Sequence, residues 1–571
     1  MNDLVIRDAT LVDGSGAPAR IADVAVRNGL IAEVGGSVGA GRREIRAEGL
    51  LLTPGFVDIH THYDGQATWD ASLTPSCWHG VTTAVFGNCG VGFAPLKPGH
   101  SEYLINLMQG VEDIPEAVLA EGIDFSWESF PEYMAVLERM PHAIDIGTQL
   151  PHGALRFYVM GDRGSDHRER PTTAELERMT QLVEESLAAG ALGVTTSRTP
   201  KHRAADGRPT PSMTADAPEL AAIAEGLRRA GSGVLQVNSD FGPGEFELLR
   251  QAAAHAGRPL SVLLLQSDKT PDLWRETLAN LRAGRAAGLD MNGQVGAKGI
   301  GILMAFDASR HPFLDHPAWA ALTGLTGREV AARLREQPSL RERLVGERTG
   351  TPAERFMQRM LERSFVMDDA QDYEPDMRDS LGARAQREGA TVWALAMAAL
   401  MERDGEGLLM HPFENYSGGS LDVVREMLVS EATVMGLSDA GAHVGVICDG
   451  AGPTFLLKHW ARDRRRGERI PLEFLVAKQT RGNALAYGMP DRGLVAPGLR
   501  ADLNLIDFSA LDLLRPQVVR DLPAGGKRFI QRARGYRHTF VAGVEILRDD
   551  ELTGELPGRL VRAGALASRS A

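Results

Sequence analysis

The chain has 571 residues, 43% of them hydrophobic and 24% charged, which is ample material for large cores and argues against a disordered or membrane-spanning protein. Its formal net charge of −13, from 62 basic and 75 acidic residues, argues against general binding to nucleic acid or acidic membranes, which select basic surfaces. The three cysteines Cys77, Cys89 and Cys448 are too few for a disulfide framework and point to a reducing compartment.

Residues 1–54 alternate short apolar runs with turns: Leu4-Val-Ile, Thr10-Leu-Val, Asp23-Val-Ala-Val and Leu30-Ile-Ala-Glu-Val, with Asn28-Gly29 between the last two. This pattern predicts small antiparallel β structure. The opening Met1-Asn-Asp-Leu-Val-Ile-Arg-Asp lacks the basic start and apolar core of a secretory signal, so the expected location is cytoplasmic. From Gly55 to about 484, apolar strands alternate with amphipathic helical stretches. Candidate strands cover 55–62, 82–89, 143–152, 191–198, 233–240, 259–266, 289–296 and 433–439, and eight such βα units predict a distorted (β/α)8 TIM-like barrel. Residues 300–405 are charged and mostly helical, an insertion between the last two barrel strands. After about 485 the short strands return, in Ala501-Asp-Leu-Asn-Leu-Ile-Asp-Phe and His538-Thr-Phe-Val-Ala-Gly-Val-Glu-Ile-Leu. Residues 1–54 and 485–571 are therefore expected to form one composite β-sandwich domain beside the barrel of 55–484.

The first candidate barrel strand ends in Phe56-Val-Asp-Ile-His-Thr-His62. Side chains at i and i+2 of a strand share a face, so His60 and His62 project together, a spacing that suits zinc or a related divalent ion. Other candidate strands also finish in polar residues: Asn88-Cys89, His152, Ser197-Arg198, Asn238, Gln266 and Asp439. Barrel active sites lie at the carboxyl ends of strands, so this clustering carries a functional signal. No Gly-x-x-x-x-Gly-Lys-Ser/Thr loop and no Gly-x-Gly-x-x-Gly fingerprint occurs, which argues against nucleotide cofactors.

The strand-end His-x-His, Val85-Phe-Gly-Asn-Cys-Gly-Val-Gly-Phe-Ala-Pro95, Gly436-Leu-Ser-Asp-Ala-Gly441 and Asp491-Arg-Gly-Leu-Val-Ala-Pro-Gly-Leu-Arg-Ala-Asp-Leu-Asn-Leu-Ile-Asp507 together resemble the amidohydrolase superfamily. Within it, they resemble the N-acyl-D-amino-acid deacylase (D-aminoacylase) branch along nearly the whole chain. The most specific element is Gly87-Asn-Cys-Gly90, because that branch uses a cysteine where many relatives use a carboxylated lysine. The resemblance implies that His60 and His62 bind a metal, that Cys89 is a thiolate ligand, and that Asp439 binds metal and acts as general acid/base. Such a set is chemically coherent. A divalent cation lowers the pKa of a water beside it toward ~7, and a strand-end carboxylate can take the proton and return it to a leaving nitrogen.

The sequence also departs from that pattern. Relatives with two metals supply histidines from the fifth and sixth strands, where this chain has Asn238 and Gln266, and neither amide is a good zinc ligand. One zinc per chain is therefore expected, held by His60, His62 and Asp439 with Cys89 as ligand or close neighbour. The branch's substrate-carboxylate lysine corresponds to Asp268, and its arginine falls in His443-Val-Gly-Val-Ile-Cys-Asp. Arg198 is then either an alternative anion clamp or a rim salt bridge. His152 either meets the substrate or metal or serves as a hydrogen-bonded core residue, and His443 is placed to reach the substrate and metal-side water. His411 is a weaker candidate, while His79 reads as structural and Lys201 as a lesser claimant to the bridging role. The expected activity is metal-dependent hydrolysis of a non-peptide carbon–nitrogen bond in a small-molecule amide, with a cyclic or unusual amide, or a non-catalytic scaffold, as alternatives. A homo-oligomer is compatible with this reading.

Overall fold

In a computed structural model, which describes residues 1–564, the apolar runs of the two chain ends pair with one another. Strands Asn2–Leu11, Arg20–Arg27, Leu30–Gly35, Gly41–Arg46 and Leu51–Pro54 share one nine-stranded sheet with Leu503–Ile506, Tyr536–Val541, Val544–Arg548 and Glu551–Leu552. The junction is antiparallel, with Leu52 opposite Leu505 and Pro54 opposite Leu503. Asn28 and Gly29 both take positive φ, 51° and 76°, the geometry a two-residue hairpin needs between Arg27 and Leu30. Ile6, Val24, Leu52, Leu505 and Phe540 pack a core on this sheet. Residues 565–571 of the expected C-terminal segment lie outside the described residues.

The middle of the chain is α/β. Parallel strands form at Phe56–Asp58, Val81–Phe86, Asp145–Thr148 with Leu150–Pro151, Gly193–Arg198, Val234–Ser239, Leu260–Leu263, Met291–Val295 and Thr433–Met435, within or nearly within the eight expected ranges. The first three make one sheet, and the third passes through Gln149 into a six-stranded sheet that ends at Thr433–Met435. A parallel bridge between Thr61 and Ala440 joins the first strand's extension to that of the eighth. Helices between the strands begin and end where their sequence directs. Thr172 and Glu175 form a capping box for Thr173–Ala188, and Asp216 caps Ala217–Ala230, which stops at left-handed Gly231.

The insertion after the seventh strand is more than helical. Ile300–Met304 and Phe365–Val366 pair antiparallel with Leu409–Glu414, so short strands lie before, among and after the helices Gly327–Glu336, Pro338–Gly346, Pro352–Glu362, Leu381–Glu388 and Val392–Gly405. These elements enclose their own apolar cluster around Phe313, Trp319, Leu334, Trp393 and Leu400. One buried ion network ties the parallel strands to the C-terminal segment: Asp145 accepts from Arg492 at 2.7 Å and from Arg500 at 2.8 Å. Among the described residues, no helix is long and apolar enough to cross a membrane.

Candidate metal centre

His60 and His62 lie just past the end of the first strand, held in extended backbone by Thr61 N–H to the Val85 carbonyl and His62 N–H to the Ala440 carbonyl. Their side chains and that of Cys89 are buried, and ligand atoms of all three lie within 4.8 Å of one another. His60 Nε2 is 3.5 Å from Cys89 Sγ and 3.3 Å from Asp439 Oδ1, and His62 Nε2 is 3.6 Å from the same Asp439 oxygen. Two imidazoles, a thiol and a carboxyl from three strand ends thus face one spot.

Local sequence explains how these atoms are aimed. Cys89, Leu437, Asp439 and His443 all take positive φ, between 46° and 56°, a costly state for residues other than glycine that gathers at functional sites. On either side of Cys89 the chain needs glycine. A Cβ at Gly87 would meet the Gln149 carbonyl oxygen at 2.3 Å, and one at Gly90 would meet Ser197 N at 2.7 Å. Between Gly87 and Cys89, Asn88 donates to the Thr61 and Val85 carbonyls and accepts from Gln149, which locks the turn onto the first and third strands.

Hydrogen bonding sets the tautomer of His60. Gln294 Nε2 donates to Ser261 Oγ and Tyr487 OH, so its Oε1 is left to accept from His60 Nδ1 at 2.6 Å. The His60 proton therefore sits on Nδ1 and the Nε2 lone pair faces Cys89 and Asp439. On the other imidazole, Nδ1 of His62 looks toward Glu112 Oε1 at 3.4 Å, and neither atom has another partner.

Electrostatics fit a cation. Burial lowers the pKa of both imidazoles and favours the neutral form that ligates metals. Burial also opposes the Asp439 carboxylate, but the adjacent imidazoles of His62, His60 and His443 hold its pKa below the usual range. The Cys89 thiol is pushed well up by burial, and the Glu112 and Asp439 charges push the same way. A neighbouring metal ion is what converts such a thiol to thiolate. The donor set of two imidazole nitrogens, a sulfur and a carboxylate oxygen is one that zinc accepts.

Other expected site residues stand elsewhere. His152 is fully buried with Nδ1 against Thr196 Oγ1 at 2.9 Å and Nε2 against Glu219 Oε1 at 3.0 Å. Glu219 also holds Arg156 through both oxygens, so both ring nitrogens of His152 are engaged by core partners. Arg198 is paired through two nitrogens with Glu245 and donates to the Ala215 carbonyl. Of its two expected roles, the rim salt bridge is the one present, because a helix-borne carboxylate already occupies the guanidinium. His443 lies at the edge of the centre, with Nε2 3.5 Å from Glu112 Oε2 and its side chain partly exposed.

Asn238 borders the centre, with Nδ2 3.8 Å from Cys89 Sγ. Gln266 instead meets the Asn415–Ser417 loop through its backbone and its Oε1, while its Nε2 donates to the Pro271 carbonyl. Lys201 pairs with Glu414, Asp268 with Arg363, and His79 with Thr454 and the Gln531 carbonyl. His411 lies on the insertion's central antiparallel strand.

Two neighbours of the centre escape sequence reasoning. Glu112 closes a helix, Ser101–Glu112, with nothing in its spacing to mark it. His202, in the loop just beyond the fourth strand, places Nε2 3.2 Å from Asn238 Nδ2. A histidine four residues past a strand's carboxyl end was the available signal.

Comparison with known proteins adds three findings. A family model described as "Amidohydrolase family" matches residues 43–546. A D-aminoacylase of Alcaligenes xylosoxydans xylosoxydans is 35% identical over 195 residues, which is 34% of this chain and 37% of that protein. The chain thus spans little more than a third of the length of this curated relative. Two solved structures share the fold across 98% of the chain. One is a D-aminoacylase studied for its binuclear metal centre, with TM-score 0.64, 23% identity and 100% of that chain covered. The other is an N-acyl-D-glutamate deacylase of Bordetella bronchiseptica complexed with zinc and a phosphonate inhibitor, with TM-score 0.63, 22% identity and 99% covered.

Proposed function

We propose that this chain, which belongs to the amidohydrolase family, is a metal-dependent hydrolase of a non-peptide carbon–nitrogen bond that acts on a small-molecule amide of N-acyl-D-amino-acid type. The observation that carries this reading is the convergence of His60 Nε2, His62 Nε2, Cys89 Sγ and Asp439 Oδ1 on one buried spot. The relatives named above bear deacylase names and a binuclear or zinc-containing centre, which supports the same chemistry.

One zinc ion is the cofactor in this reading, held by His60, His62, Asp439 and Cys89. When bound, such an ion polarises a carbonyl oxygen and lowers the pKa of water beside it toward ~7. Asp439, whose Oδ1 stands beside the Nε2 atoms of both imidazoles, would take the water's proton and return it to the leaving nitrogen. Gln294 keeps the His60 lone pair turned toward the centre. His443, partly exposed beside Asp439, faces the substrate side.

We read the two parallel sheets as one distorted (β/α)8 barrel spanning 55–484, interrupted at Gln149, with the helical insertion bordering its mouth. The sheet shared by residues 1–54 and 485–571 is the sandwich-like companion domain. A cytoplasmic location and self-association into a homo-oligomer complete the proposal; all three cysteines are free and buried.

A second reading keeps the chemistry and changes the substrate to a cyclic or otherwise unusual amide. It is favoured by Arg198 and Asp268, the positions considered for gripping a substrate carboxylate, because both are engaged by internal partners. Elemental analysis of the purified protein, combined with a panel of N-acyl-D-amino acids, their L-isomers and cyclic amides, tests both readings. About one tightly held zinc per chain and turnover of an N-acyl-D-amino acid are expected. Well under one ion would defeat the metal assignment, and turnover of cyclic amides alone would select the second reading.

A further inference from the structure

Gln294 holds His60 through an amide, and an amide has two ends of opposite character. With Oε1 toward His60, as here at 2.6 Å, Nδ1 donates and the Nε2 lone pair is left for an ion. With the amide turned over, its nitrogen would donate to Nδ1 and the ring proton would move to Nε2, the atom that faces Cys89 and Asp439. An imidazole protonated there has no lone pair to give. What holds the amide one way round lies at its far end.

There Nε2 meets two hydroxyls, Ser261 Oγ at 3.0 Å and Tyr487 OH at 2.8 Å. A hydroxyl donates as readily as it accepts, so these contacts by themselves suit either orientation. Asn292 breaks the tie. Paired with Ser261 across the sixth and seventh strands, it takes the Ser261 hydrogen on Oδ1 at 2.7 Å. Ser261 then has only lone pairs to offer, and a turned amide would set its oxygen against them. Tyr487 reaches the same spot from outside the parallel sheets. Asn483 accepts from the Met435 N–H of the eighth strand at 3.0 Å and donates to the Val57 carbonyl of the first at 2.8 Å. These bonds fix the short helix Asn483–Ala486, which ends at Tyr487. Ser261, Asn292, Gln294 and Tyr487 are all buried, where an amide end without its partner is costly.

We propose that Asn292, Ser261 and Tyr487 are positioning residues of the metal centre, a directed hydrogen-bond chain that keeps the Gln294 oxygen on His60 and excludes the tautomer that cannot bind an ion. The geometry stands by itself, while its consequence for the ion rests on the metal-dependent reading above.

Two measurements on the full chain test this. In metal-free protein carrying isotopically labelled histidine, the ring-nitrogen NMR shifts of His60, identified by their loss in His60→Gln, report the tautomer. Chelator competition reports zinc affinity. The wild type is expected to carry the His60 proton on Nδ1. Ser261→Ala combined with Tyr487→Phe leaves the amide nitrogen without acceptors, so a share of Nε2-protonated ring should appear and zinc affinity should fall by ~10-fold or more. Adding Gln294→Glu, whose two oxygens both accept, should return the affinity to within ~3-fold of wild type, a repair that lost packing would not show. An Nε2-protonated His60 in the wild type overturns the proposal. So does a folded double variant with unchanged tautomer and zinc affinity, or one that Gln294→Glu leaves unrepaired; in these cases a tightly held zinc in the wild type leaves the metal-dependent reading standing. A wild type with the expected tautomer and no bound ion defeats that reading and the positioning role together.

Discussion

Glu112 Oε1 lies 3.4 Å from His62 Nδ1, and both atoms are buried without any other partner. The imidazole of His62 thus stands between two carboxyl groups, Glu112 on Nδ1 and Asp439 on Nε2. An ion on Nε2 requires the ring proton on Nδ1, where Glu112 is the group that receives it. Carboxylate partners of this kind orient a ligand and raise its basicity.

Glu112→Gln should therefore weaken binding of the metal ion by ~10–100-fold while leaving the fold intact. Competition with a chelator of known affinity measures this. Unchanged affinity would remove Glu112 from the centre's support.

Asp439→Ala should lower turnover by ~10²–10⁴-fold even when saturated with zinc, the range for losing a positioned acid/base group. Turnover by the zinc-loaded variant, set beside its zinc content, checks this. Activity within tenfold of wild type would reject Asp439 as the proton carrier.

Asp145→Ala should destabilise the protein by ~1–3 kcal/mol, the cost of leaving buried donors without a partner. It removes the carboxylate that joins buried Arg492 and Arg500, which keep Asp491 and Asp502 as their remaining carboxylate partners. Denaturant unfolding of metal-loaded protein gives the value, provided the transition is two-state.

Lys478 supplies a pH signature away from the centre. Burial alone pushes its amine down to about 7, and its partners, the Ser430 carbonyl and Thr433 Oγ1, are neutral. Between pH 7 and 10.5 the unfolded chain holds one more proton at this site than the folded chain does. Stability from this residue therefore rises with pH across that window, by up to ~1.4 kcal/mol per pH unit. Lys478→Met should remove that slope; an unchanged pH profile would mean the amine stays charged inside the fold.

Much of the centre could be read from the chain because it depends on short-range pattern. His60 and His62 are two residues apart on extended backbone, and Cys89 and Asp439 sit in glycine-flanked turns at strand ends, so local geometry already aims them. His152 and Arg198 look equivalent by position, yet their carboxylate partners, Glu219 and Glu245, come from helices 67 and 47 residues away. No local pattern announces that a distant carboxylate will claim a strand-end side chain. Glu112 was hidden for the same reason in reverse, since its role depends on His62 and His443 arriving from elsewhere. The insertion's antiparallel strands were masked by the charged helices between them.

The sheet that joins both chain ends has a consequence for synthesis. Leu51–Pro54 gains its antiparallel neighbour only when Leu503–Ile506 has been made. Until then a growing chain presents Leu51 and Leu52 on an unpaired strand edge, the kind of surface that invites wrong pairing. The ribosome-bound intermediate therefore needs shielding for most of its elongation, and truncations before Leu503 should collect in aggregates rather than as folded fragments.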